Sequence, residues 1–386
     1  MKRVIFMTGA TGLVGGNLIH HFLEDKNVSR LYLLARGKND EDAKQRVHKT
    51  MKVFSPQIDK LDPHNKIRIL AGDITRNNLA LSNETYDELT NNLTHIVHSA
   101  ANVKFQQSLE NAMLVNFQGT KNVFELARSV NATNGISKIA YISTAYTCGE
   151  HEGVFYEDDS FRPSMFANSY ERSKYESDAY VQSLFNELPV TIFRPSIIVG
   201  DSESGITNVF NGLYGPLEMI FMRLIRFLPG RKNTKMDIVP VDYVSKAIVN
   251  IMNLGKFSDG KIFHLTSGTD KLVEAGEVIK YATDFYSLMM SNAGSQKLQT
   301  GFLDSEKYLK YKNSLSGAKA TISKTLESFA PYTTLNRTFD NTKTLDALRG
   351  SGLSPSHFGE YCKKIFYYTI EANWGRKIKF TALAGG

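Results

Sequence analysis

The first two hundred residues alternate short apolar runs with longer segments in which apolar residues recur every three or four positions. The runs predict buried strands and the longer spacing predicts amphipathic helices. The predicted strands cover residues 2–8, 30–35, 66–71, 94–99, 138–143 and 190–193, and the predicted helices cover residues 13–24, 41–52, 109–129 and 169–186. This alternation predicts an α/β fold with a Rossmann-type, doubly wound parallel sheet, whose carboxyl edge receives the ligand.

The pattern changes after residue 204. Residues 207–228 are apolar but interrupted by glycine and proline, whereas residues 236–252 and 261–268 again predict strand and helix. From residue 270 onward the pattern is mainly helical. We therefore expect a first domain of residues 1–204, with strand and helix contributions from about 236–268, and a smaller, mainly helical region of residues 205–386.

The net charge of +7 is concentrated in the second region. Residues 1–204 hold 22 Lys and Arg against 24 Asp and Glu, whereas residues 205–386 hold 24 against 15. A basic region attracts an anionic substrate carrier or a membrane surface, although solubility alone explains such a balance equally well. We find no nucleic-acid-binding motif and expect no nucleic-acid partner. The charge leaves the oligomeric state open.

Cysteine content and hydropathy predict a cytoplasmic protein. The two cysteines, Cys148 and Cys362, exclude a disulfide framework and have no zinc-ligand spacing. We recognise no secretory signal and no uninterrupted apolar run of about 18 residues. His95 and His98 lie on one predicted strand with no third ligand in view, so we expect structural histidines and no metal.

The segment MTGATGLVGGNL, residues 7–18, joins the first predicted strand to the first predicted helix. Gly9 permits a tight turn, Gly12 lets the backbone approach a pyrophosphate, and Gly15 allows the helix to pack closely on the strand. A helix N-terminus also favours an anion. In this position the glycines predict a dinucleotide site. The further residues predicted to contact the dinucleotide here are Thr8, Thr11, Leu13, Val14, Ala100 and Ala101.

The end of the second predicted strand favours NADPH over NADH. An acid that would bind the ribose hydroxyls of NAD is missing there; Arg36 stands in its place and the first acid is Asp40. A guanidinium suits a 2′-phosphate. Arg46 on the following helix reaches the same phosphate or the adenine, or else lies on a solvated helix face. Asp73 and Ile74, after the third strand, are expected at the adenine ring.

Tyr170 and Lys174 are four residues apart on a predicted helix and so share a face. An ammonium beside a tyrosine lowers the pKa of the phenol, which can then exchange a proton with a carbonyl oxygen. Thr144, at the end of the fifth strand, is expected to bind the same oxygen, with Ser143 as the alternative. Asn116 is expected to orient a water or backbone group near the lysine, or else to pack in the core.

The sixth strand leads into FRPSIIVGDSESG, residues 193–205. Proline breaks regular strand pairing, so the backbone beyond it is free to bind the nicotinamide carboxamide. The residues expected in this contact are Pro195, Ser196, Ile197 and Val199.

Taken together, the chain resembles the extended short-chain dehydrogenase/reductase superfamily, and within it the fatty acyl-CoA reductase and thioester reductase (male-sterility-type) branch. The motifs that carry the resemblance run from Thr8 to about Gly268: TGATGLVGGNL, LYLLAR, AGDIT, IVHSAANVKF, NFQGTKNV, YISTAY, YERSKYESD, TIFRPSIIVGDSESG and MDIVPVDYV.

The resemblance implies a fold, a cofactor and a reaction. Residues 1–204 are the expected NADP-binding domain and residues 205–386 the substrate-binding region. The branch reduces acyl thioesters on coenzyme A or an acyl carrier protein to an aldehyde, or further to an alcohol. By position, Tyr170 transfers the proton, with Lys174 and Thr144 assisting. Arg223, Arg226, Arg231, Lys232 and Lys235 are candidate contacts for an anionic carrier.

Three other functions remain open. A ketone or aldehyde reductase or alcohol dehydrogenase, acting on a β-keto acid or sterol-like substrate, would use the same residues. A sugar-nucleotide epimerase fits Arg36 poorly. A non-catalytic NADP-binding protein fits poorly with the retention of Tyr170 and Lys174. The apolar residues 209–228 are expected to line an acyl tunnel, to touch a membrane peripherally or to pack in the core.

Overall fold

A computed structural model describes residues 2–55, 62, 65–159, 162–290, 298–317, 320, 323 and 326–377. The strands are β1 Arg3–Thr8, β2 Val28–Ala35, β3 Ile67–Ala71, β4 His95–His98, β5 Lys138–Ile142, β6 Gly153–Phe155, β7 Val190–Pro195, β8 Ile197–Val199, β9 Phe227–Pro229, β10 Lys235–Met236, β11 Ile238–Pro240, β12 Lys261–Leu265, β13 Val273–Glu274, β14 Gly301–Leu303 and β15 Arg337–Phe339.

The α-helices alternate with the longer strands in the first half of the chain and dominate the second half. They are α1 Leu13–Glu24, α2 Asp40–Phe54, α3 Asn83–Asn92, α4 Leu109–Ala112, α5 Gly119–Thr133, α6 Ser169–Gln182, α7 Tyr214–Phe221, α8 Val241–Met252, α9 Ala275–Met290, α10 Ser305–Asn313, α11 Pro331–Thr334, α12 Thr342–Ala347 and α13 Phe358–Glu371. Among the described residues, none of these helices combines the length and the apolar character needed to cross a bilayer.

The central sheet has, within the described residues, seven strands in the order β3-β2-β1-β4-β5-β7-β12. All neighbouring strands are parallel. The chain runs outward from β1 to β3 and then crosses to β4, so the strand order reverses at β1. A ligand crevice forms at the carboxyl ends of the strands on either side of such a reversal. The predicted α/β Rossmann-type sheet is confirmed.

Helices cover both faces of this sheet. On one face α1 and α8 bury Leu18 and Ile248, and on the other α5 and α6 bury Phe124 and Val181. Strands buried on both faces read as continuous apolar runs rather than as alternating patterns, which is why the sequence located them well.

The helix predicted over residues 109–129 is interrupted. A π-helical turn, Met113–Gln118, separates α4 from α5. Within it the carbonyl oxygen of Asn116 accepts hydrogen bonds from the hydroxyls of Thr120 (2.5 Å) and Ser177 (2.9 Å). A single wide turn keeps the apolar spacing on either side nearly unchanged, so periodicity did not reveal it.

The second half of the chain holds short strands as well as the predicted helices. β13 pairs antiparallel with β10, β14 pairs parallel with β9, and β15 pairs parallel with β6. Strands of two or three residues carry no detectable alternation, and their partners lie far away in sequence. They attach the C-terminal segments to the loops above the carboxyl edge of the sheet.

Glu157 adds a buried carboxylate to this attachment. The side chain is 2% exposed and accepts hydrogen bonds from the backbone N–H groups of His264 (2.8 Å), Lys343 (2.7 Å) and Thr344 (3.1 Å). The hydroxyl of Thr344 donates a further bond of 2.5 Å. One carboxylate thus joins the loop after β6, strand β12 and the first turn of α12.

Candidate active site

The glycine turn between β1 and α1 has no room for side chains. Gly9 has φ +80°, and a Cβ there would lie 2.6 Å from the backbone nitrogen of Ala100. A Cβ on Gly15 would lie 2.1 Å from the carbonyl oxygen of Gly9. Helix α1 begins after Gly12 with no side-chain cap. The turn therefore presents backbone N–H groups and a helix N-terminus, which fits the pyrophosphate of a dinucleotide.

Polar side chains brace this turn from two sides. The Thr8 hydroxyl bonds to Nδ1 of His98 (2.7 Å) and accepts the backbone N–H of Ala100 (3.2 Å). On the other side, Nδ2 of Asn208 donates to the carbonyl oxygen of Thr11 (3.1 Å). Sequence reasoning missed Asn208, because it lies almost two hundred residues away in an irregular loop.

The two histidines of β4 are hydrogen-bonded to hydroxyl groups of the protein. Burial lowers the pKa of His98 to about 3 and that of His95 to about 4, so both rings are neutral at pH 7. Nδ1 of His95 bonds to the Thr94 hydroxyl at 2.8 Å. Over the part of the chain that the structure describes, no group of three or more His, Cys, Asp or Glu side chains is placed to hold a metal ion.

Arg36 follows β2 as an exposed guanidinium at the carboxyl edge. The neighbouring acids are held by backbone groups: Asp40 accepts the N–H of Ala71 (2.7 Å), and Asp42 accepts that of Lys38 (3.0 Å). The end of β2 therefore offers an exposed cation, and one carboxylate oxygen of Asp40 and one of Asp42 are bonded to the backbone.

The other residues predicted for the adenosine half lie around the same edge. Arg46 is exposed on α2. One carboxylate oxygen of Asp73 accepts both the backbone N–H (2.9 Å) and the hydroxyl (2.8 Å) of Thr75. Ile74 is 7% exposed, and its side chain would lie 2.7 Å from a Cβ placed on Gly119. Asp73 is thus partly engaged in a turn, and Ile74 packs inward.

Thr144 and Tyr170 line the same cavity beyond the carboxyl end of β5, close enough for Thr144 to lower the pKa of Tyr170 slightly against the effect of burial. The Thr144 hydroxyl is also 3.4 Å from the carbonyl oxygen of Pro195. Burial raises the pKa of Tyr170 to about 12. This differs from the lowered value expected beside an ammonium, because desolvation dominates and the amine of Lys174 is engaged elsewhere.

Lys174 is 2% exposed, one turn further along α6. Its Nζ donates to the Tyr141 hydroxyl (2.8 Å) and to the carbonyl oxygen of Ile142 (2.9 Å), and it lies 4.4 Å from the Tyr141 ring centroid. Burial lowers the pKa of Lys174 to about 7, against a weaker opposite effect of Asp178. The amine therefore changes charge near neutral pH.

Asn116 acts on the backbone around these residues. Its side-chain oxygen accepts the N–H of Asn102 (2.7 Å), and its Nδ2 donates to the carbonyl oxygen of Asn102 (3.1 Å) and to the Ser173 hydroxyl (2.8 Å). The amide thus joins the loop after β4 to the middle of α6.

Behind Thr144 lies a buried ion pair that sequence reasoning did not identify. Nε and Nη2 of Arg194 donate to the two carboxylate oxygens of Asp178 at 3.0 and 2.7 Å. The Ser143 hydroxyl donates to the same carboxylate at 2.5 Å, so Ser143 and Thr144 have different partners. Asp178 lies one turn beyond Lys174 on α6. This spacing could have identified Asp178 from the sequence as a neighbour of the site.

Thr144, Tyr170 and Lys174 open into one cavity of about 320 Å³. Its polar end is lined by Gly12, Leu13, Val14, Ser99, Ala101, Ser143, Thr144, Tyr170, Lys174, Pro195, Ser196 and Ile197. The rest is mainly apolar and includes Leu213, Pro216, Leu228, Met236, Val278, Ile279, Phe302 and Leu326. Val199, predicted for the same loop, is instead fully buried in the C-terminal core.

A second, open groove of about 930 Å³ adjoins the apolar part, with Ile279 and Phe302 in both linings. Arg226, Arg231 and Lys232 line this groove. Lys235, another of the predicted carrier contacts, instead pairs with Glu274 at 2.9 Å. Arg223 has φ +58°, and it follows α7 by two residues.

Comparison with known proteins agrees with this geometry. Residues 7–248 match the Male sterility protein family. The fatty acyl-CoA reductase wat of Drosophila melanogaster is 27% identical over 277 residues, which cover 64% of this chain and 53% of that protein. The chain thus spans about half the length of this relative.

Among solved structures, the terminal R domain of the myxalamid PKS-NRPS pathway superposes with a TM-score of 0.83 at 24% identity, covering 97% of this chain and 92% of that one. The R domain of a nonribosomal peptide synthetase from Mycobacterium tuberculosis gives 0.70 at 20% identity, with coverages of 97% and 92%. The chain belongs to the Male sterility protein family of extended short-chain dehydrogenases/reductases, an NAD(P)-binding oxidoreductase family related to acyl-CoA and thioester reductases.

Proposed function

We propose that this protein is an NADPH-dependent reductase of acyl thioesters that releases an aldehyde, with the alcohol as the product of a second reduction. The observation that carries the proposal is the single cavity in which Thr144, Tyr170 and Lys174 border a long apolar lining. A polar reaction centre at the end of an apolar chamber suits a carbonyl at the end of an acyl chain.

The preference for NADPH rests on the end of β2. The guanidinium of Arg36 is exposed there, while Asp40 and Asp42 are bound to backbone N–H groups. A 2′-phosphate would find the exposed cation of Arg36 at this place. The glycine turn would hold the pyrophosphate, and Pro195, Ser196 and Ile197 would lie at the nicotinamide end.

The chain's own residues would handle the carbonyl oxygen. Bound NADPH supplies the hydride. Thr144 and Tyr170 would donate hydrogen bonds to the oxygen as negative charge develops on it, and preorganised donors of this kind are a major source of rate enhancement. Tyr170, with a pKa raised to about 12, is fully protonated at pH 7 and can act as the acid. Lys174 would donate a hydrogen bond to the cofactor ribose, and Asn116 would hold the backbone near it.

For the thioester carrier we propose coenzyme A or an acyl carrier protein, bound at the second, open groove described above. Arg226, Arg231 and Lys232 line it, and Phe302 and Ile279 line both the groove and the apolar cavity. Phosphates or acidic side chains would bind the cations while the acyl chain lies on the apolar side.

Arg226→Glu with Lys232→Glu should raise KM for a carried thioester at least tenfold. An equal rise for a free aldehyde would contradict docking.

The test of the reaction is a screen of acyl-CoAs, acyl carrier proteins, aldehydes and ketones for NADPH oxidation, with thiol release and products measured in parallel. We expect thiol release to match thioester consumption. Turnover of ketones without thiol release would favour the alternative, an NADP(H)-dependent ketone or aldehyde reductase or alcohol dehydrogenase. No turnover with intact NADPH binding would favour a non-catalytic protein.

A variant pair tests the role of Tyr170. Tyr170→Phe should lower turnover at least a hundredfold and leave NADPH affinity unchanged, because the phenol acts on the carbonyl oxygen. Tyr175→Phe, on the same helix, is the matched control and should keep turnover within twofold. Unchanged turnover in Tyr170→Phe would refute the mechanism.

A further inference from the structure

Four aromatic side chains, Phe105, Tyr146, Phe329 and Tyr332, form an aromatic wall along the cavity. The rings of Phe105 and Tyr332 are stacked, with centroids 5.3 Å apart and planes 12° apart. Tyr146 meets Tyr332 edge-on at 5.0 Å. Phe105 also lies 6.1 Å from the ring of Tyr170. The wall therefore begins beside the phenol that we propose as the proton donor.

The same wall leads to the apolar part of the cavity. The Phe105 ring lies 5.7 Å from that of Phe329, whose backbone N–H donates to the carbonyl oxygen of Leu326 at 2.9 Å. Leu326 packs with Leu228 and Ile279 in the apolar lining. An acyl chain that extends from a carbonyl at Tyr170 toward this lining therefore runs along the stacked rings.

Buried polar contacts fix the ring of Tyr332 in place. Its hydroxyl donates to Oε1 of Glu171 (2.8 Å) and accepts from Nδ2 of Asn168 (3.1 Å). Glu171 is fully buried and accepts a bond of 3.2 Å from Arg337, which is 3% exposed. The Arg337 guanidinium also lies 5.0 Å from the centroid of the Tyr332 ring. Rotating this ring away would leave a buried carboxylate short of a donor.

These anchors belong to α6, the helix that carries Tyr170 and Lys174. Asn168 is the N-cap of α6, and Glu171 directly follows Tyr170. The ring of Tyr332 and the phenol of Tyr170 are thus positioned from one helical turn, although Tyr332 comes from α11, far along the chain. The distance between wall and phenol is set by a short rigid path rather than by a flexible loop.

We propose that Tyr332 is a specificity-determining residue, which limits the width of the acyl chain next to the reacting carbonyl. Linear thioesters fit along the stacked rings, and chains branched beside the carbonyl do not. This inference rests on the proposed thioester reduction and adds the class of acyl group that the site takes. One or two carbon atoms in an apolar subsite change kcat/KM by about ten- to two-hundredfold.

The test compares kcat/KM for a linear acyl-CoA and its 2-methyl-branched isomer in the full chain. Tyr332→Ala should raise the branched-to-linear ratio at least tenfold. Tyr332→Phe keeps the ring and should keep the ratio within twofold. Tyr175→Phe, whose side chain does not line this cavity, should also leave it unchanged. A residue with a structural role alone would lower both values of kcat/KM together and leave their ratio as it was.

Phe105→Ala provides a second opening of the same wall and has the same expected result if Tyr332→Ala does not fold. Folding is checked by NADPH affinity and melting temperature. An unchanged ratio in a folded Tyr332→Ala or Phe105→Ala variant overturns the inference. If the wild-type protein reduces no thioester at all, the proposed function fails instead, so the two failures are distinguishable.

Discussion

Replacing Lys174 with methionine should change how the stability of the protein depends on pH. The amine has an ordinary pKa of 10.5 in the unfolded chain and, because of burial, a pKa of about 7 in the fold. Between these two values the unfolded chain binds more protons than the folded protein. The free energy of unfolding therefore rises with pH across this window. Below the window the amine is protonated in both states, so Lys174 causes no further change with pH.

The expected size follows from the two values. Between pH 7 and pH 9 the folded amine becomes almost fully neutral while the unfolded amine stays almost fully charged. Linkage then gives the wild-type protein about 2 kcal/mol more stability at pH 9 than at pH 7 from this group alone. Lys174→Met lacks the titrating group, whereas every other ionisable residue is shared, so their contributions cancel in the difference.

Urea unfolding of both proteins at pH 7, 8 and 9, without cofactor, measures this difference. The free energy of unfolding of the wild type minus that of Lys174→Met should increase by about 2 kcal/mol from pH 7 to pH 9. Lys49→Met, at an exposed position on α2, should give a curve parallel to the wild type. Parallel curves for wild type and Lys174→Met would refute the assignment of a low pKa to the buried amine.

Three further outcomes are expected. Arg36→Ala should raise KM for NADPH at least tenfold and leave KM for NADH within twofold; equal changes would contradict a contact with the 2′-phosphate. Gly15→Ala should lower NADPH affinity at least tenfold, measured by fluorescence titration, because its Cβ would lie 2.1 Å from a carbonyl oxygen, whereas Gly215→Ala, with its nearest neighbour at 3.9 Å, should not. Asp178→Asn should lower the free energy of unfolding by about 3–5 kcal/mol, because Arg194 would lose its buried countercharge; urea unfolding that matches the wild type would contradict this.

The central sheet was predictable because its signals are local. Strands buried on both faces are apolar runs, and the turn before α1 has close backbone contacts at Gly9 and Gly15 that only glycine allows. The juxtaposition of Thr144 and Tyr170 followed from a general rule, namely that parallel strands bring their carboxyl ends to one edge. Each of these inferences needed only neighbouring residues and a known topology.

What escaped prediction depends on contacts between distant residues. The pKa of Tyr170 is raised because burial outweighs any nearby charge, and burial is a property of the whole fold. Asn208 reaches the glycine turn from an irregular loop, and Tyr332 reaches Glu171 across more than 150 residues of chain. No spacing or periodicity within a segment predicts such contacts between residues that are distant in sequence.

The buried carboxylate of Glu157 bears on how this protein is divided for engineering. The family match ends at residue 248, yet the donors to Glu157 include backbone groups of His264 and Thr344. A fragment cut at the edge of the match would remove the segments that bury Glu157 together with the backbone donors to its carboxylate, and would detach the segment that carries Tyr332. Chimeras with a related protein should therefore be joined so that Glu157 and residues 331–344 come from the same parent.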